Sequence, residues 1–277
     1  MSDRPVRYFV FDVESVADGD LVAKIRYPAD SLTASDAIHR YRTELMEKSG
    51  TDFIPYTFQL PISVVVAKVS DDFRLLDVVL LDEPQFRPHV IVEHFWRGWE
   101  SYGHPTLVTF NGRSFDVPLM ELAAFRYGIS IPNWFAMNGK SWDQPRNRYN
   151  VRAHWDLQDL LVNFGATRFN GGLNLAANVL GKPGKIDTQG YMVQDMYDEG
   201  QIAEIADYCR CDVLDTYFVF LRSCVLTGQL NLDREQELVE ETKTWLEQQA
   251  DSSPAYQKYL GEWGHWPNPW SKSDSEE

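Results

Sequence analysis

Residues 8–14 read YFVFDVE, an apolar run that ends in two acidic residues. The apolar positions from Tyr8 to Val13 predict a buried β-strand. Because side chains alternate between the two faces of a strand, Asp12 and Glu14 share one face and the neighbouring Phe and Val side chains share the other. Two carboxylates side by side on a buried strand repel each other unless a cation lies between them. The stretch therefore predicts a divalent-cation site; the alternative is a pair of acids at a frayed, solvated strand end.

The segments that follow this strand predict an α/β fold. A helix is expected at 33–49, with Thr33 or Ser35 as its cap and Gly50 at its end. The other elements expected in this half are strands at 62–69 and 75–81 that form a hairpin, a helix at 90–102, a strand at 106–110 and a helix from about residue 116. The order of strand, hairpin, helix, strand and helix indicates a mixed β-sheet flanked by helices.

The second half of the chain is predicted to be mostly helical. Short helices are expected at 157–164 and 173–180, a long one at 201–225 and an acidic one at 234–249. Residues 256–270 hold three tryptophans among Gly and Pro, and indicate an aromatic tail packed on the domain, with disordered residues after it. We therefore divide the chain into a domain at 1–225, with an insertion at about 15–60, and a C-terminal part at 226–277.

The composition is that of an ordinary globular protein. The chain has 277 residues, of which 44% are apolar, but no apolar run is long enough to span a membrane. Its polar start does not resemble a signal peptide, and its three cysteines, an odd number, do not form the disulfide framework of a secreted protein. These features predict a cytoplasmic location and no membrane partner.

The formal net charge of −15 at first disfavours nucleic-acid binding, which normally needs a basic surface. The acidic residues are concentrated after residue 186, however. The segment 140–185 contains more basic than acidic side chains, among them Arg146, Arg148, Arg152, Arg168 and Lys182. A locally basic segment suits an enzyme that holds a short strand end, and the alternative is an ordinary solvated face.

A second group of functional candidates lies at 109–118, TFNGRSFDVP, between a strand and a helix. Pro118 fits the first turn of a helix, which places Asp116 at or next to the helix N-terminus. Residues 138–143 repeat nearly the same hexapeptide, but no strand precedes them and no helical pattern follows. We therefore assign the functional role to Asp116 and interpret Asp143 as a loop residue. Asn111 contacts either the substrate or the backbone of the turn.

A third group lies on the long helix predicted at 201–225. Tyr208 and Asp212 are four residues apart and share a face of the helix, and Asp215 extends the polar stripe. Taken alone, a polar stripe of this kind is expected to face solvent.

The three groups together resemble the motifs of the DEDDy branch of the ribonuclease-H-like exonuclease superfamily. Asp-x-Glu on a first strand, Asn-x-x-x-Phe-Asp at a turn and Tyr-x-x-x-Asp on a late helix occur in the order of that family. The chain looks most similar to stand-alone bacterial proteins predicted to be 3′-to-5′ exonucleases related to the proofreading domain of family B DNA polymerases. Residues 154–161 and 181–185 resemble the segments between the motifs of that group. The resemblance extends over residues 6–225.

The resemblance implies a ribonuclease-H-like sheet of five or so strands and a two-metal hydrolase. The implied catalytic residues are Asp12, Glu14, Asp116, Tyr208 and Asp212; all but Tyr208 would bind two Mg²⁺ or Mn²⁺ ions, and Tyr208 would orient the attacking water. The residues expected to bind substrate are Asn111, Arg113, Phe115 and Lys185. The implied substrate is the 3′ end of single-stranded nucleic acid, DNA in preference to RNA, and the implied product is a nucleoside 5′-monophosphate.

Two alternatives remain at the level of sequence. One is a ribonuclease of the same branch that processes RNA 3′ ends, since no motif reports contact with a 2′-hydroxyl. The other is a non-catalytic adaptor that keeps the fold and binds a protein partner through its C-terminal tail. Residues 181–185 do not form a phosphate-binding P-loop, because the required earlier glycine and the Ser or Thr after the lysine are absent.

Overall fold

A mixed five-stranded sheet lies at the centre of the protein, whose computed structural model describes residues 5–184 and 190–270. The strands are β1 (Val6–Ala17), β2 (Gln59–Ser70), β3 (Leu75–Leu80), β4 (Thr106–Thr109) and β5 (His154–Asp156). Their order across the sheet is β3-β2-β1-β4-β5. β1 pairs antiparallel with β2 and parallel with β4, so the predicted mixed sheet of the ribonuclease-H-like kind is confirmed.

Helices cover both faces of the sheet. In the described residues they are α1 (Gly19–Arg26), α2 (Ala34–Ser49), α3 (Pro88–Ser101), α4 (Asp116–Tyr127), α5 (Leu157–Leu161), α6 (Gly172–Val179), α7 (Val193–Asp198), α8 (Ile202–Leu226), α9 (Leu232–Gln249) and α10 (Pro254–Gly261). None of them is both long and apolar enough to cross a membrane.

The two faces of β1 belong to two separate cores. Phe9, Phe11 and Val13 pack with α3 and α4 on one side, as their alternation predicts. Val10 packs with α8 on the other side. Because α6, α9 and α10 also contact α8, this helix is buried over most of its surface. The acids of β1 therefore face a buried helix rather than solvent.

Residues 18–58 form a small unit of their own beside the sheet. Its core is made by buried side chains of α1, α2 and the following loop, Val22, Tyr27, Ala37, Ile38, Tyr41 and Ile54. Thr33 caps α2 by accepting a hydrogen bond from the Asp36 N–H at 3.1 Å, and Gly50 ends the helix in the left-handed region, both as predicted. This segment is therefore a folded element with its own core, and its status as an insertion stays a prediction.

The structure contains elements that the pattern did not predict. β5 has only three residues, and α1 and α7 are also short. The helix expected at 157–164 ends at Leu161, because Asn163 and Phe164 adopt positive φ angles.

The aromatic tail has packed and exposed parts. Its first part is helical, as α10. Trp263 packs on Phe218 of α8, whereas Trp270 is 80% exposed. The disorder predicted for the last residues lies outside the described part of the chain.

Candidate active site

The candidate site begins where β1 extends past β4. β4 pairs with β1 only from Tyr8 to Val10, so the following residues of β1 border the turn that enters α4. Asp116, the first residue of α4, lies beside the Val13 backbone N–H, which partly offsets the effect of burial on its carboxyl group, and is almost fully buried. Burial, followed by the negative charge of Asp12, raises the pKa of Asp116 well above its ordinary value. Two distant segments thus bring their acids together.

The turn before α4 is fixed by a buried acid from the neighbouring strand. Asp156, at the end of β5, accepts hydrogen bonds from the N–H groups of Asn111 at 3.0 Å and Arg113 at 2.8 Å. Gly112 is required in this turn, because a Cβ atom there would lie 2.6 Å from the Thr109 side chain. The same Asp156 carboxylate caps α5. Asp156 therefore determines where Asp116 is placed.

The role of Asp156 was not predicted from the sequence. The available signal was an Asp between a short apolar run and a helix, which is the usual position of an N-cap. Burial raises the pKa of Asp156, and the N–H donors of the turn partly offset that effect.

α8 supplies the third side of the site. The Tyr208 hydroxyl donates a hydrogen bond to the Asp212 carboxylate one turn later. Burial, the negative charge of Asp212 and then those of both β1 acids raise the pKa of the Tyr208 hydroxyl. Asp212 is only 7% exposed, so the expectation that the polar stripe of this helix faces solvent is wrong. β1 covers the part of the stripe that holds Tyr208 and Asp212, and Tyr259 of α10 covers Asp215.

Cys209 also belongs to this cluster, although no role was predicted for it. Its sulfur lies 3.5 Å from the backbone oxygen of Asp12 and 3.7 Å from Asp12 Oδ2. Ligand-type atoms of Cys209, Asp12 and Glu14 all lie within 4.8 Å of one another. Burial and then the charge of Asp12 raise the pKa of the thiol well above its ordinary value, so it stays protonated and donates to Asp12.

The cluster has the composition of a binding site for hard cations. Glu14, Asp116 and Asp212 are buried, and Asp12 is half-buried beside them. Mg²⁺ and Mn²⁺ prefer carboxylate oxygens, whereas a protonated thiol is a poor ligand for them. Buried acids that raise one another's pKa gain most from a bound cation. Asp12 and Glu14, whose ligand atoms lie within 4.8 Å of each other, therefore suit a divalent cation, and Asp116 and Asp212 as further ligands stay a prediction.

Three of the predicted substrate-binding residues lie around this cluster in different settings. The Asn111 side chain accepts from Ser114 Oγ at 2.7 Å and from Gln158 Nε2 at 3.1 Å, so it supports the turn. Arg113 forms an ion pair with Asp159 at 2.8 Å and donates to the His154 oxygen. The Phe115 ring lines a groove next to Glu14.

The fourth, Lys185, lies outside the described residues. Substrate contact by these four residues stays a prediction.

Three basic side chains of the segment 140–185 are engaged within the protein. Arg146 pairs with both carboxylate oxygens of Glu121 at 2.8 Å, and Arg148 lies 3.5 Å from Asp159. Lys182 is buried, with its Nζ 3.7 Å from the centre of the Trp263 ring, and burial lowers its pKa to about 8. These contacts leave less positive charge for a nucleic acid than the sequence suggests.

A comparison with protein families identifies the kind of protein that carries this site. Residues 51–263 match a family model described as a predicted 3′-5′ exonuclease related to the exonuclease domain of PolB. The chain belongs to this family. No curated protein matches the chain. This membership confirms the predicted resemblance to stand-alone exonucleases related to a polymerase proofreading domain, and it supports a nuclease with a nucleic-acid substrate.

The exonuclease-family match covers two of the three motifs. Asp116, Tyr208 and Asp212 lie inside it, whereas Asp12 and Glu14 precede residue 51. The match also includes α9 and the whole of α10. The contact of β1 with α4 and α8 is therefore what joins the first pair of acids to the family's part of the chain.

Proposed function

We propose that this protein removes nucleotides one at a time from the 3′ end of single-stranded DNA and releases nucleoside 5′-monophosphates. The observation that carries the proposal is the convergence of acids from three distant segments: Asp12 and Glu14 lie close together, Asp12 acts on Asp116, and Asp12, Glu14 and Asp212 act on the Tyr208 hydroxyl. The family of predicted 3′-5′ exonucleases supports the direction of the reaction. The relation of that family to a DNA polymerase domain favours DNA over RNA.

The four carboxylates would hold two Mg²⁺ or Mn²⁺ ions. Bound ions of this kind neutralise charge on a phosphodiester and lower the pKa of water. Asp116 is positioned for this role by the Val13 N–H, and Asp212 by the Tyr208 hydroxyl. Because their side chains are buried, these carboxylates meet a phosphate only at the open side of the cluster, where Asp12 is half-buried.

Tyr208 would orient the attacking water. Its pKa is raised, so the phenol keeps its proton at neutral pH and does not serve as a base. In the hydrolysis, water attacks the phosphorus of the last phosphodiester, and the bond from phosphorus to the 3′ oxygen breaks. That oxygen takes a proton and remains on the shortened strand, while the phosphate stays on the released nucleotide.

The test is degradation of a 5′-labelled single strand in the presence of Mg²⁺ or Mn²⁺. Wild type should shorten the strand from its 3′ end, and both Asp12→Ala and Asp212→Ala should abolish the shortening. Asp143→Ala is the matched control, because Asp143 ends the similar hexapeptide at 138–143 but lies in a short turn elsewhere. Equal activity of the two site variants and the control would refute the proposal.

A substrate panel separates the related activities. Single-stranded DNA, duplex DNA with mismatched 3′ ends and RNA should be compared at equal concentrations. We expect single-stranded DNA to be the best substrate. Faster shortening of RNA would instead assign the protein to RNA 3′-end processing, and binding without shortening would favour an adaptor.

We also propose a cytoplasmic location. Cys209, Cys211 and Cys224 are buried free thiols, which fits a reducing compartment. Fractionation of the producing cells tests this directly.

A further inference from the structure

The 137–152 loop, which lies between α4 and β5, exposes aromatic and basic side chains together. Trp142 is 62% exposed and Tyr149 is 64% exposed. The Lys140 ammonium lies 5.3 Å from the centre of the Trp142 ring, and the central guanidinium carbon of Arg148 lies 5.6 Å from the centre of the Tyr149 ring. Each of the two exposed rings therefore has a cation beside it.

Polar side chains hold the 137–152 loop in one conformation. Gln144 Nε2 donates to the Met137 oxygen at 3.0 Å, and Asn147 Nδ2 donates to the Ser141 oxygen at 2.8 Å. Arg146 anchors the same loop to α4 through two hydrogen bonds of 2.8 Å. A loop that is already ordered loses little conformational entropy when a ligand binds. The two rings are thus presented to solvent in a defined position.

The charge of the 137–152 loop is opposite to that of the whole chain. The loop carries four basic side chains and one acidic side chain, whereas the chain has a net charge of −15. Lys140 and Arg152 are exposed, and neither forms an ion pair with a residue of the described ranges 5–184 and 190–270. Because an acidic surface repels a polyanion, a locally basic loop is where a phosphate backbone is best accepted.

Two ion pairs to one carboxylate join the 137–152 loop to the turn that enters α4. Asp159 of α5 lies 3.5 Å from Arg148 and 2.8 Å from Arg113. The Arg113 backbone N–H donates to Asp156, which fixes the turn before Asp116. The loop therefore borders the turn that carries a proposed cation ligand. A strand whose 3′ end lies at the carboxylates can reach the loop with the nucleotides that precede that end.

We propose that the 137–152 loop binds the part of the single strand that precedes its 3′-terminal nucleotides. This inference rests on the exonuclease proposed above. Trp142 and Tyr149 stack with bases, and Lys140 and Arg152 contact phosphates. Stacking does not read the sequence, because every base has a flat π face. The loop thus favours strands that are long enough to reach it, and it holds them between successive cleavages.

The first test measures binding of a 5′-fluorescein-labelled oligothymidylate of about sixteen nucleotides by fluorescence anisotropy in EDTA, so that the strand is not degraded. Trp142→Ala and Tyr149→Ala should each raise the Kd about tenfold, because each removes a stacking surface. Lys140→Gln should make the slope of log Kd against log salt concentration shallower by about 0.7, because it removes one phosphate contact.

The second test compares the shortening of the same strand with that of a strand of about three nucleotides, which is too short to occupy the whole loop. With Mg²⁺ present, Trp142→Ala and Tyr149→Ala should raise KM for the long strand about tenfold and leave kcat unchanged, since stacking upstream does not touch the reacting bond. Both variants should shorten the short strand as wild type does.

Trp270→Ala is the matched control, because Trp270 is 80% exposed in the C-terminal tail, and it should behave as wild type in both tests. Wild-type binding of the long strand by Trp142→Ala and Tyr149→Ala would overturn the proposal, and so would an equal loss of activity on both strands. A wild-type protein that binds the long strand through these rings but shortens neither strand would refute the exonuclease alone, so the two failures are distinguishable.

Discussion

Asp212 and Asp215 lie three residues apart on α8, and both are buried, at 7% and 0% exposure. Asp212 lies near Tyr208 and the two acids of β1, Asp12 and Glu14. Burial and the negative charges of all three acids raise the pKa of Tyr208. Asp215 faces the opposite kind of surroundings: the Tyr259 hydroxyl of α10 donates to it at 2.6 Å, and the positive charge of Lys182 lies nearby. Burial of an acid is common to both sites, and only the charge of the neighbours separates a candidate cation site from a structural one.

The largest expected effect is the difference in activity between the same substitution, Asp to Asn, at Asp212 and at Asp215. Asp212→Asn should lower kcat/KM for single-stranded DNA by about a thousandfold or more, because it removes a cation ligand. Asp215→Asn should stay within a few-fold of wild type, because its partners are structural. Strand shortening under identical Mg²⁺ measures both. A large loss at Asp215 with a small one at Asp212 would reverse the comparison.

The second effect concerns stability against pH. Burial raises the pKa of Asp215 to about 7, and the Tyr259 hydroxyl partly offsets this. A raised folded-state pKa contributes stability at low pH that is lost as the pH rises toward the folded value, here between about 4 and 7. Each pH unit in that window should lower the free energy of unfolding by as much as about 1.4 kcal/mol.

Urea unfolding at several pH values measures this slope, and Asp215→Asn should flatten it. Asp143→Asn, an exposed acid, is the control and should leave the slope as in wild type. A slope that Asp215→Asn does not change would mean that another group titrates there.

Tyr208→Phe tests whether Tyr208 acts in the chemical step or supports cation binding. Removal of the hydroxyl takes away a hydrogen bond to Asp212 and the group that orients water, so kcat should fall about ten- to a hundredfold. The Mn²⁺ concentration for half-maximal activity should stay unchanged, because the carboxylates remain. A variant that needs far more Mn²⁺ would show that Tyr208 supports the cation site instead.

The smallest effect is expected at Cys209. Its thiol is protonated and donates to Asp12, so Cys209→Ala should keep Mg²⁺-dependent activity within about fivefold of wild type. Metal titrations of both proteins with Mg²⁺ measure this. Loss of activity beyond a hundredfold would make the thiol a ligand.

Part of this picture could be predicted from sequence because the relevant rules are local. Strand alternation placed Asp12 and Glu14 on one face, and Pro118 placed Asp116 at a helix start. These predictions need only the residues of one element and its immediate neighbours.

The surroundings of α8 could not be predicted in the same way. Helical spacing put Asp212 and Asp215 on one stripe but carried no information on what covers it. β1 packs against α8 near Asp212, and α10 covers Asp215. Both elements lie far from these acids in the sequence, so helical spacing could not predict the two different environments. The basic segment that contains Lys182 was expected to meet substrate or solvent, whereas the Lys182 amino group lies over the rings of Trp263 and Phe218.

The claim that Asp12, Glu14, Asp116 and Asp212 form one divalent-cation site is tested most directly by calorimetric titration with Mn²⁺. Wild type and Asp215→Asn should bind Mn²⁺ with the same stoichiometry and affinity, and Asp212→Asn should lose at least one of the bound ions. Binding by Asp212→Asn that is indistinguishable from wild type would contradict the account.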